Sequence, residues 1–496
     1  MNGGIDTRLF ARKGRLPAAF LFLLCGAAAI LLSQPCWLLI PFVFIFFWFL
    51  AGMTISATGQ LFWWMVVCLP LSAEVSISPT LGMDLPDEAL LMLLTGCCLL
   101  KWIHQPKWIP FSVLKNPLFF LVVIQWGWTA ICCAYALDSW IAVKFLLAKT
   151  WYIFPFVLLP QVLFRSSRDI LRLALCMGIP MLLVVVQSLL RHAAYGFSFG
   201  GVKETLWPFF RNHVVYSAML VCITAICWGL LRTETHTRYR RWLRVAIILC
   251  LVALFLSYSR GAWAALLVGV VTAVVMYRRW LRQTLVIVCL GAACFTGWLL
   301  YHDHYVRFIP DYTHTIFHTD FEAHLAATVS LKDVSDAERF YRWVAGVKMV
   351  IARPVTGFGP NNFYGQYRSY TAGAFKTWVS NNPDHSSVHN YFLLTALEQG
   401  VPGLLILIAL VLSVLLTAQR LMHTLQNHRY RVTAWVTGIV FSMVITVNLL
   451  SDLVETDKIG SLFWLCIGML IWLNGEAGKE KKSLDDEKPA VIPMPG

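Results

Sequence analysis

The residues best suited to chemistry are a histidine and an asparagine at the head of an apolar helix, in SSVHNYFLLTALEQGVPG, residues 386–403. Histidine titrates near working pH, so a neutral His389 can accept a proton from a hydroxyl group. Ser386 and Ser387 precede the predicted helix as plausible N-caps, and the positive end of a helix would favour the neutral imidazole. Asn390 would orient either an acceptor or the imidazole. The motif predicts a general base, and a histidine that only caps the helix is the alternative.

Arg260 lies in SYSRGAW, residues 257–263, between two apolar runs with hardly any loop between them. Serine, tyrosine and glycine around it provide a tight turn with polar partners for the backbone. An arginine at this place is costly unless it faces a cavity or an anion. Because a guanidinium binds phosphate oxygens in pairs and keeps its charge, we expect Arg260 to contact an anion. Snorkelling to lipid headgroups is the alternative.

A second cationic motif is ERFYRW, residues 338–343. Arg339 and Trp343 are four residues apart and share a face if the stretch is helical, which predicts an amphipathic helix along the outer membrane surface. Glu338 and Arg342 would also suit a solvated helix with an i,i+4 ion pair. A run of turn-forming residues then ends the helix: Pro354, Gly357, Gly359 and Pro360.

A third cationic motif is FFRNHVVYSAML, residues 209–220. It places Arg211 with Asn212 and His213 at the outer start of an apolar stretch. Polar anchors are common at such positions, so anchoring and anion binding are both open for Arg211.

The elements that must position these residues are membrane helices. Of the 496 residues, 58% are hydrophobic and only 13% are charged, and the mean hydropathy is +0.66. This is more apolar surface than a soluble core of this length could hide. Backbone groups in lipid must be satisfied internally, and the alternating pattern of a membrane barrel is absent, so we predict an all-α polytopic membrane protein with about 14 spans, within a range of about 12–14. The predicted spans are 17–33, 36–52, 57–73, 88–102, 117–137, 142–164, 170–190, 213–231, 243–258, 261–277, 283–301, 388–418, 433–450 and 459–474.

The distribution of basic residues predicts the orientation. If the arginines near the N-terminus are cytoplasmic, the positive-inside rule places the other basic loops and the Lys-rich tail there too. Both termini are then cytoplasmic, and the long segment 302–387 faces the periplasm. We therefore expect N-terminal transmembrane helices at 1–301, a periplasmic loop with an amphipathic helix at 302–387, C-terminal transmembrane helices at 388–474 and a disordered cytoplasmic tail at 475–496.

The net charge of +14 is mainly a signal of this topology. The basic residues are scattered over many short loops rather than gathered on one face, which argues against nucleic-acid binding. All 14 cysteines lie in or beside apolar runs without CxxC pairs, so they indicate core residues rather than disulfides or zinc ligands.

Two further histidine features leave alternatives open. Asp384 and His385 form a rival to His389 as the base, only a few residues upstream. The loop after residue 301 has H-x-H and H-x-x-x-H spacings that would suit a metal, but no third well-spaced ligand follows a compact pair, so we predict no metal site. These residues are His302, Asp303, His304, Asp311, His314, His318, Asp320 and His324.

Four motifs, SYSRGAW, ER-x-x-x-W, GFGPNNF and HNYFLLTALEQGVPG, together resemble in order and rough spacing the membrane region of the O-antigen ligase and O-antigen polymerase superfamily. The resemblance runs from about Arg211 to Gly403. It implies a fold similar to the C-type glycosyltransferases, at work on the periplasmic side of the bacterial inner membrane. The implied reaction moves a glycan from undecaprenyl pyrophosphate to a hydroxyl acceptor, without a nucleotide sugar, a metal or another cofactor.

The resemblance also assigns roles to the matching positions. Arg260 and Arg339 would clamp the pyrophosphate and His389 would be the base. Apart from the resemblance, we expect Arg211, Arg342 and Asn390 to bind substrate. The acceptor is left open among the lipid A core of a ligase, the growing chain of a polymerase and the protein of an O-oligosaccharyltransferase. The competing class is a transporter or flippase, for which Lys144, Lys149 and Asp452 are the few charged candidates near helix interiors. The single long outer loop favours the enzyme.

Overall fold

The computed structural model describes residues 58–78, 81–301, 334–371 and 387–486. The predicted spans 17–33 and 36–52 lie outside these residues. The described part begins with helix α1 (Thr58–Leu71) and a hairpin of β1 (Ala73–Ser78) and β2 (Leu81–Leu85). The two strands are antiparallel, with Glu74 opposite Asp84. The acidic link between two predicted spans therefore contains a small two-stranded sheet.

Twelve longer helices follow the hairpin in the described residues. They are α2 (Asp87–His104), α3 (Pro117–Ala134), α4 (Ser139–Leu163), α5 (Ser167–Ala194), α6 (His213–Thr233), α7 (Thr237–Leu256), α8 (Arg260–Tyr277), α9 (Leu281–Leu300), α10 (Val334–Ala352), α11 (Tyr391–Thr424), α12 (His428–Asn448) and α13 (Asp457–Asp486). Short helical turns lie between them at Pro106–Trp108, Phe111–Leu114, Val202–Thr205, Phe363–Gln366, Tyr367–Tyr370 and Leu453–Glu455.

Among the described residues, nine helices are long and apolar enough to cross a membrane: α3, α4, α5, α6, α8, α9, α11, α12 and α13. This confirms the predicted all-α polytopic fold. The remaining predicted spans in this part, 57–73, 88–102 and 243–258, correspond to α1, α2 and α7, which are helical but are not among those nine.

Side-chain caps fix where several helices begin. Asn116, Asp138, Asn212 and Asn427 each accept hydrogen bonds from backbone N–H groups in the first turn of α3, α4, α6 and α12. Such caps satisfy donors that have no partner inside the helix. In a membrane protein they also mark the places where a span meets the polar surface.

Helix α12 lies at the centre of the bundle and packs against α6, α8, α11 and α13. Its connections define two ends. At one end Asn390, just before α11, donates to the carbonyl of Leu449, just after α12, at 3.0 Å. At the other end Arg431 donates to the carbonyl of Met422 at 3.2 Å. We call these the His389 end and the opposite end.

Helix α11 is broken at Gly400, whose φ of 71° lies in the left-handed region. The break comes about three turns after the start of the helix. The freed backbone groups bond to the loop that follows α10, because Val401 N–H donates to the carbonyl of Pro354 at 2.7 Å and Gly359 N–H donates to that of Glu398 at 2.9 Å. The first segment of α11 is thereby fixed at an angle to the rest, with His389 at its head.

The bundle geometry sharpens the topology prediction. His236 lies just before α7 at the opposite end, and the exposed Asn361 lies in the loop that packs against the break in α11. In a variant without native cysteines, we expect a membrane-impermeant maleimide added to spheroplasts to modify Asn361→Cys and to leave His236→Cys unmodified until the membrane is permeabilised. Modification of His236→Cys alone would overturn the predicted orientation.

Candidate active site

The backbone around His389 differs from the expected serine-capped helix start. Asn390 is the N-cap of α11, since its side-chain oxygen accepts from Leu393 N–H at 2.9 Å. Ser387 instead accepts from His389 N–H at 3.1 Å. His389 itself has a φ of 53°, a left-handed conformation that is uncommon outside glycine. The predicted caps, Ser386 and Ser387, were therefore wrong. The imidazole of His389 is held just before the helix, which Asn390 caps.

Helix α10 packs against the chain that carries His389. The indole of Trp343 donates to the carbonyl of Val388 at 3.0 Å, and Arg342 donates to the carbonyl of Ser387 at 3.3 Å. Apolar residues of α10, among them Val344 and Met349, join Val388 in one buried cluster. The predicted helix over this stretch is present, and its apolar face contacts the head of α11.

The ion pair expected on a solvated helix is present in α10, but it is buried. Glu338 and Arg342 do form the i,i+4 ion pair, at 3.3 Å, but each side chain is only 8% exposed. The pair is therefore buried between α10 and its neighbours rather than solvated. A buried, hydrogen-bonded arginine of this kind holds backbone in place, because its donors must be satisfied.

An acidic residue lies beside the histidine. Nδ1 of His389 is 3.7 Å from Oδ1 of Asp452, which follows α12. Burial would raise the pKa of Asp452, but hydrogen bonds from His389 and Ser387 outweigh it and hold the pKa of this carboxyl below its ordinary value. Asp452 is thus a carboxylate that faces Nδ1, which leaves Nε2 of the imidazole for a proton from elsewhere.

A partly buried ion pair lies behind His389 and Asp452. Nζ of Lys149, on α4, is 2.7 Å from Oε1 of Glu455 and 3.5 Å from the hydroxyl of Tyr391. Glu455 belongs to the same short turn as Asp452, and Tyr391 is the first residue of α11. The pair therefore joins the three segments on which His389 and Asp452 depend.

The two arginines of the predicted clamp lie at the same end of the bundle. Arg260 is the first residue of α8, after Ser259 as the N-cap residue. Since Met443 of α12 packs at Gly269 of α8 and Met276 at Gly438, α8 and α12 are antiparallel. The start of α8 therefore lies where α12 leads into Asp452.

Arg339 is placed by its own helix. It lies four residues before Trp343, and residues at this spacing share a face of a helix. Since the indole of Trp343 donates to Val388, Arg339 lies on the face of α10 that meets the chain of His389. Its side chain is partly buried.

Three predicted substrate-binding residues have partners within the protein. Arg211 forms an ion pair with Glu74 of β1 at 3.0 Å, with 79% of its side chain exposed. Asn390 uses its oxygen as the cap of α11 and its amide for the carbonyl of Leu449, and Arg342 is held by Glu338 and Ser387. Their binding of a substrate stays a prediction.

Sequence reasoning missed Asp452 as a partner of His389 and counted it only toward the transporter. The available signal was an acidic residue in the segment between the last two spans, at the end predicted to hold the histidine. The rival pair Asp384 and His385 and the histidine-rich stretch after residue 301 lie outside the described residues. Within the residues that the structure describes, no group of three or more potential ligands suits a metal ion.

Comparison with known proteins supports the resemblance. Residues 245–408 match the family model of the O-antigen ligases, which confirms the resemblance to the O-antigen ligase and polymerase superfamily. The matched segment includes Arg260, Arg339 and His389, but ends before Asp452 and begins after Arg211. A search of curated proteins found no match to the chain.

The partly buried pair behind His389 and Asp452 predicts a stability effect. Lys149→Met leaves the partly buried Glu455 carboxylate, 23% exposed, without its cation. Removal of one partner costs about 3–5 kcal/mol in a fully buried pair, so that range is the upper bound for this one. We expect a lower thermal unfolding midpoint for the purified protein, and recovery of most of the loss in Lys149→Met/Glu455→Gln. The exposed Lys144→Met on the same helix serves as the control. A Lys149→Met midpoint equal to that of the control would show that the pair contributes nothing.

Proposed function

We propose that this chain, which matches the O-antigen ligase family over residues 245–408, is a metal-independent glycosyltransferase of the bacterial inner membrane. It transfers a glycan from undecaprenyl pyrophosphate to a hydroxyl of the lipid A core on the periplasmic face, in lipopolysaccharide biosynthesis. The observation that supports this most is the contact of His389 with Asp452, at the end of the bundle where Arg260 also lies.

The proposed reaction needs two kinds of help. The acceptor oxygen forms a bond to the anomeric carbon of the glycan, and the bond from that carbon to the pyrophosphate oxygen breaks. The proton of the acceptor hydroxyl moves to Nε2 of His389, and the electron pair of the broken bond leaves with undecaprenyl pyrophosphate. A base must therefore act on the acceptor, while cations must stabilise the charge that develops on the leaving group.

Arg260 and Arg339 supply the cations in this proposal. The guanidinium is planar and binds phosphate oxygens bidentately, so two arginines can hold the pyrophosphate as its negative charge increases. Arg211, on the exposed surface, would release Glu74 to contact the donor or the acceptor. Arg342, which donates to the carbonyl of Ser387, and Asn390, next to His389 in the chain, would contact the substrate in this proposal.

Asp452 acts through His389. Its carboxylate faces Nδ1, fixes the ring orientation and stabilises the imidazolium that forms when Nε2 accepts the proton. The ion pair of Lys149 and Glu455 holds the turn that carries Asp452 against the head of α11. Lys149, Glu455 and Asp452 then serve to position the base, so their presence near helix interiors does not require a transport pathway.

Analysis of the product's carrier tests the function directly. We expect purified protein with an undecaprenyl-pyrophosphate-linked glycan and lipid A core to give glycan on the core, at an unchanged rate with EDTA. Longer glycan that stays on undecaprenyl pyrophosphate would mean a polymerase, and glycan on protein would mean an O-oligosaccharyltransferase. Movement of the donor across the membrane without any product would support a flippase instead.

The arginine clamp predicts that geometry matters as well as charge. Arg260→Ala and Arg339→Ala should lose nearly all transfer, and the lysine variants should lose much of it, because an ammonium cannot bind phosphate as a bidentate fork. Turnover by the purified variants is the measurement, with thermal unfolding as the check on folding. Wild-type turnover in both lysine variants would contradict the clamp.

The proposed base predicts a linked pair of effects. His389→Ala should lower transfer by about 10²–10⁴, the usual contribution of general-base catalysis, while donor binding changes little. The wild-type rate should fall as the pH falls, because a protonated imidazole cannot accept the proton.

The double variant and a neighbouring histidine provide the controls. If Asp452 acts only through His389, His389→Ala/Asp452→Asn should be no slower than His389→Ala alone. His385→Ala should have much less effect than His389→Ala. Loss of transfer in His385→Ala with normal transfer in His389→Ala would show that His385, and not His389, is the base.

A further inference from the structure

A large cavity lies in the opposite half of the bundle from His389. It has a volume of about 620 Å³ and is bounded by α5, α6, α7, α12 and α13. The lining residues belong to the segments of α6, α7 and α12 nearest the opposite end, and the cavity reaches as far as Leu462 of α13. We call it the opposite-end cavity.

The walls of the opposite-end cavity are apolar. Leucine, valine and methionine from five helices line it, and Gly178 of α5 would have open space around an added Cβ. The three threonine hydroxyls of the wall are already used, since Thr233 donates to the carbonyl of Leu230, Thr433 to that of Arg429 and Thr437 to that of Thr433. Few donors therefore remain along the wall for a polar ligand, and an apolar cavity does not hold ordered water.

The mouth of the cavity has the composition of a membrane interface. Tyr239 and Trp242 of α7 line it and are 57% and 63% exposed. The exposed Arg429, in the first turn of α12, lines it as well. Aromatic and basic side chains at one level are typical of the headgroup region. Among the described residues that line the cavity, Glu234 is the one acidic residue. It accepts from the backbone N–H groups of Thr235 and His236 at 2.8 and 2.9 Å, and its charge also attracts that of Arg429.

We infer that the opposite-end cavity binds one acyl chain of an anionic phospholipid whose phosphate contacts Arg429. A methylene takes about the volume of a water, roughly 30 Å³, so a chain of about 16 carbons needs roughly 480 Å³, which the cavity can hold. An anionic headgroup complements Arg429 and the other arginines near the starts of α5 and α7. These other arginines are Arg168, Arg238, Arg240 and Arg241. The site is distinct from the His389 end, so it does not depend on the proposed function.

The test is a lipid titration of the delipidated full-length protein, followed by native mass spectrometry. The probes are palmitoyl-oleoyl phosphatidylglycerol and the phosphatidylcholine with the same chains. We expect one saturable phosphatidylglycerol on the wild type, bound more tightly than phosphatidylcholine. Arg429→Gln should weaken phosphatidylglycerol about fivefold, the effect of one basic residue at an anionic surface, and leave phosphatidylcholine unchanged.

Two cavity-filling variants test the location. Gly178→Phe should abolish the saturable site, and Ala246→Leu, on the wall formed by α7, should weaken it if the first variant does not fold. Gly291→Phe is the matched control, because Gly291 also has open space for a side chain but lies on α9, away from the cavity.

Three results would overturn the inference. Wild-type affinity in folded Gly178→Phe or Ala246→Leu would place the lipid elsewhere. Equal affinity for the two lipids with no effect of Arg429→Gln would remove the role of the phosphate. Absence of any saturable lipid on the wild type would mean that the opposite-end cavity is not a lipid site.

Discussion

The break in α11 at Gly400 is the constraint on which the site depends. A helix that ends inside a membrane protein leaves carbonyl and N–H groups that need partners, because lipid offers none. Here the loop after α10 provides them through the backbone of Pro354 and Gly359, and the indole of Trp128 on α3 donates to the carbonyl of Gln399 at 2.8 Å. A side chain at residue 400 would meet the carbonyl of Val355. The break therefore joins α10, α11 and α3, and it fixes the short helical segment that begins just after His389.

Electrostatics at the His389 end depend on the same arrangement. Asp452 and Glu455 lie on one turn, and each carboxylate has a cationic or titratable partner from another segment, His389 for Asp452 and Lys149 for Glu455. Without Lys149 two carboxylates would lie close together in a half-buried turn, which disfavours the charge on both. The pair thus allows Asp452 to remain ionised beside the imidazole. Lys149 and Asp452, which would suit a transporter from the sequence alone, belong in the structure to the charged groups around His389.

The predictable parts were those that short-range patterns determine. Hydropathy predicted the nine membrane-length helices of the described residues, the proline and glycine run predicted the end of α10, and the HN motif placed a histidine and an asparagine at the head of α11. Long-range pairings were not predictable. Asp452 meets His389 only because α11 and α12 are antiparallel, and Arg211 meets Glu74 only because the hairpin folds back toward α6. The cap of α11 was misassigned because serine and asparagine are comparable N-caps. The left-handed backbone of His389 was not predictable, because this conformation is uncommon outside glycine.

The most direct measurement is a cryo-electron microscopy structure of the His389→Ala variant in a lipid nanodisc with the undecaprenyl-pyrophosphate-linked glycan bound. The variant should retain the donor without turning it over. Both phosphates should lie within hydrogen-bond distance of Arg260 and Arg339, with the first sugar directed toward Asp452 and the head of α11. A pyrophosphate bound at the opposite end of the bundle, or one that contacts neither arginine, would contradict this expectation.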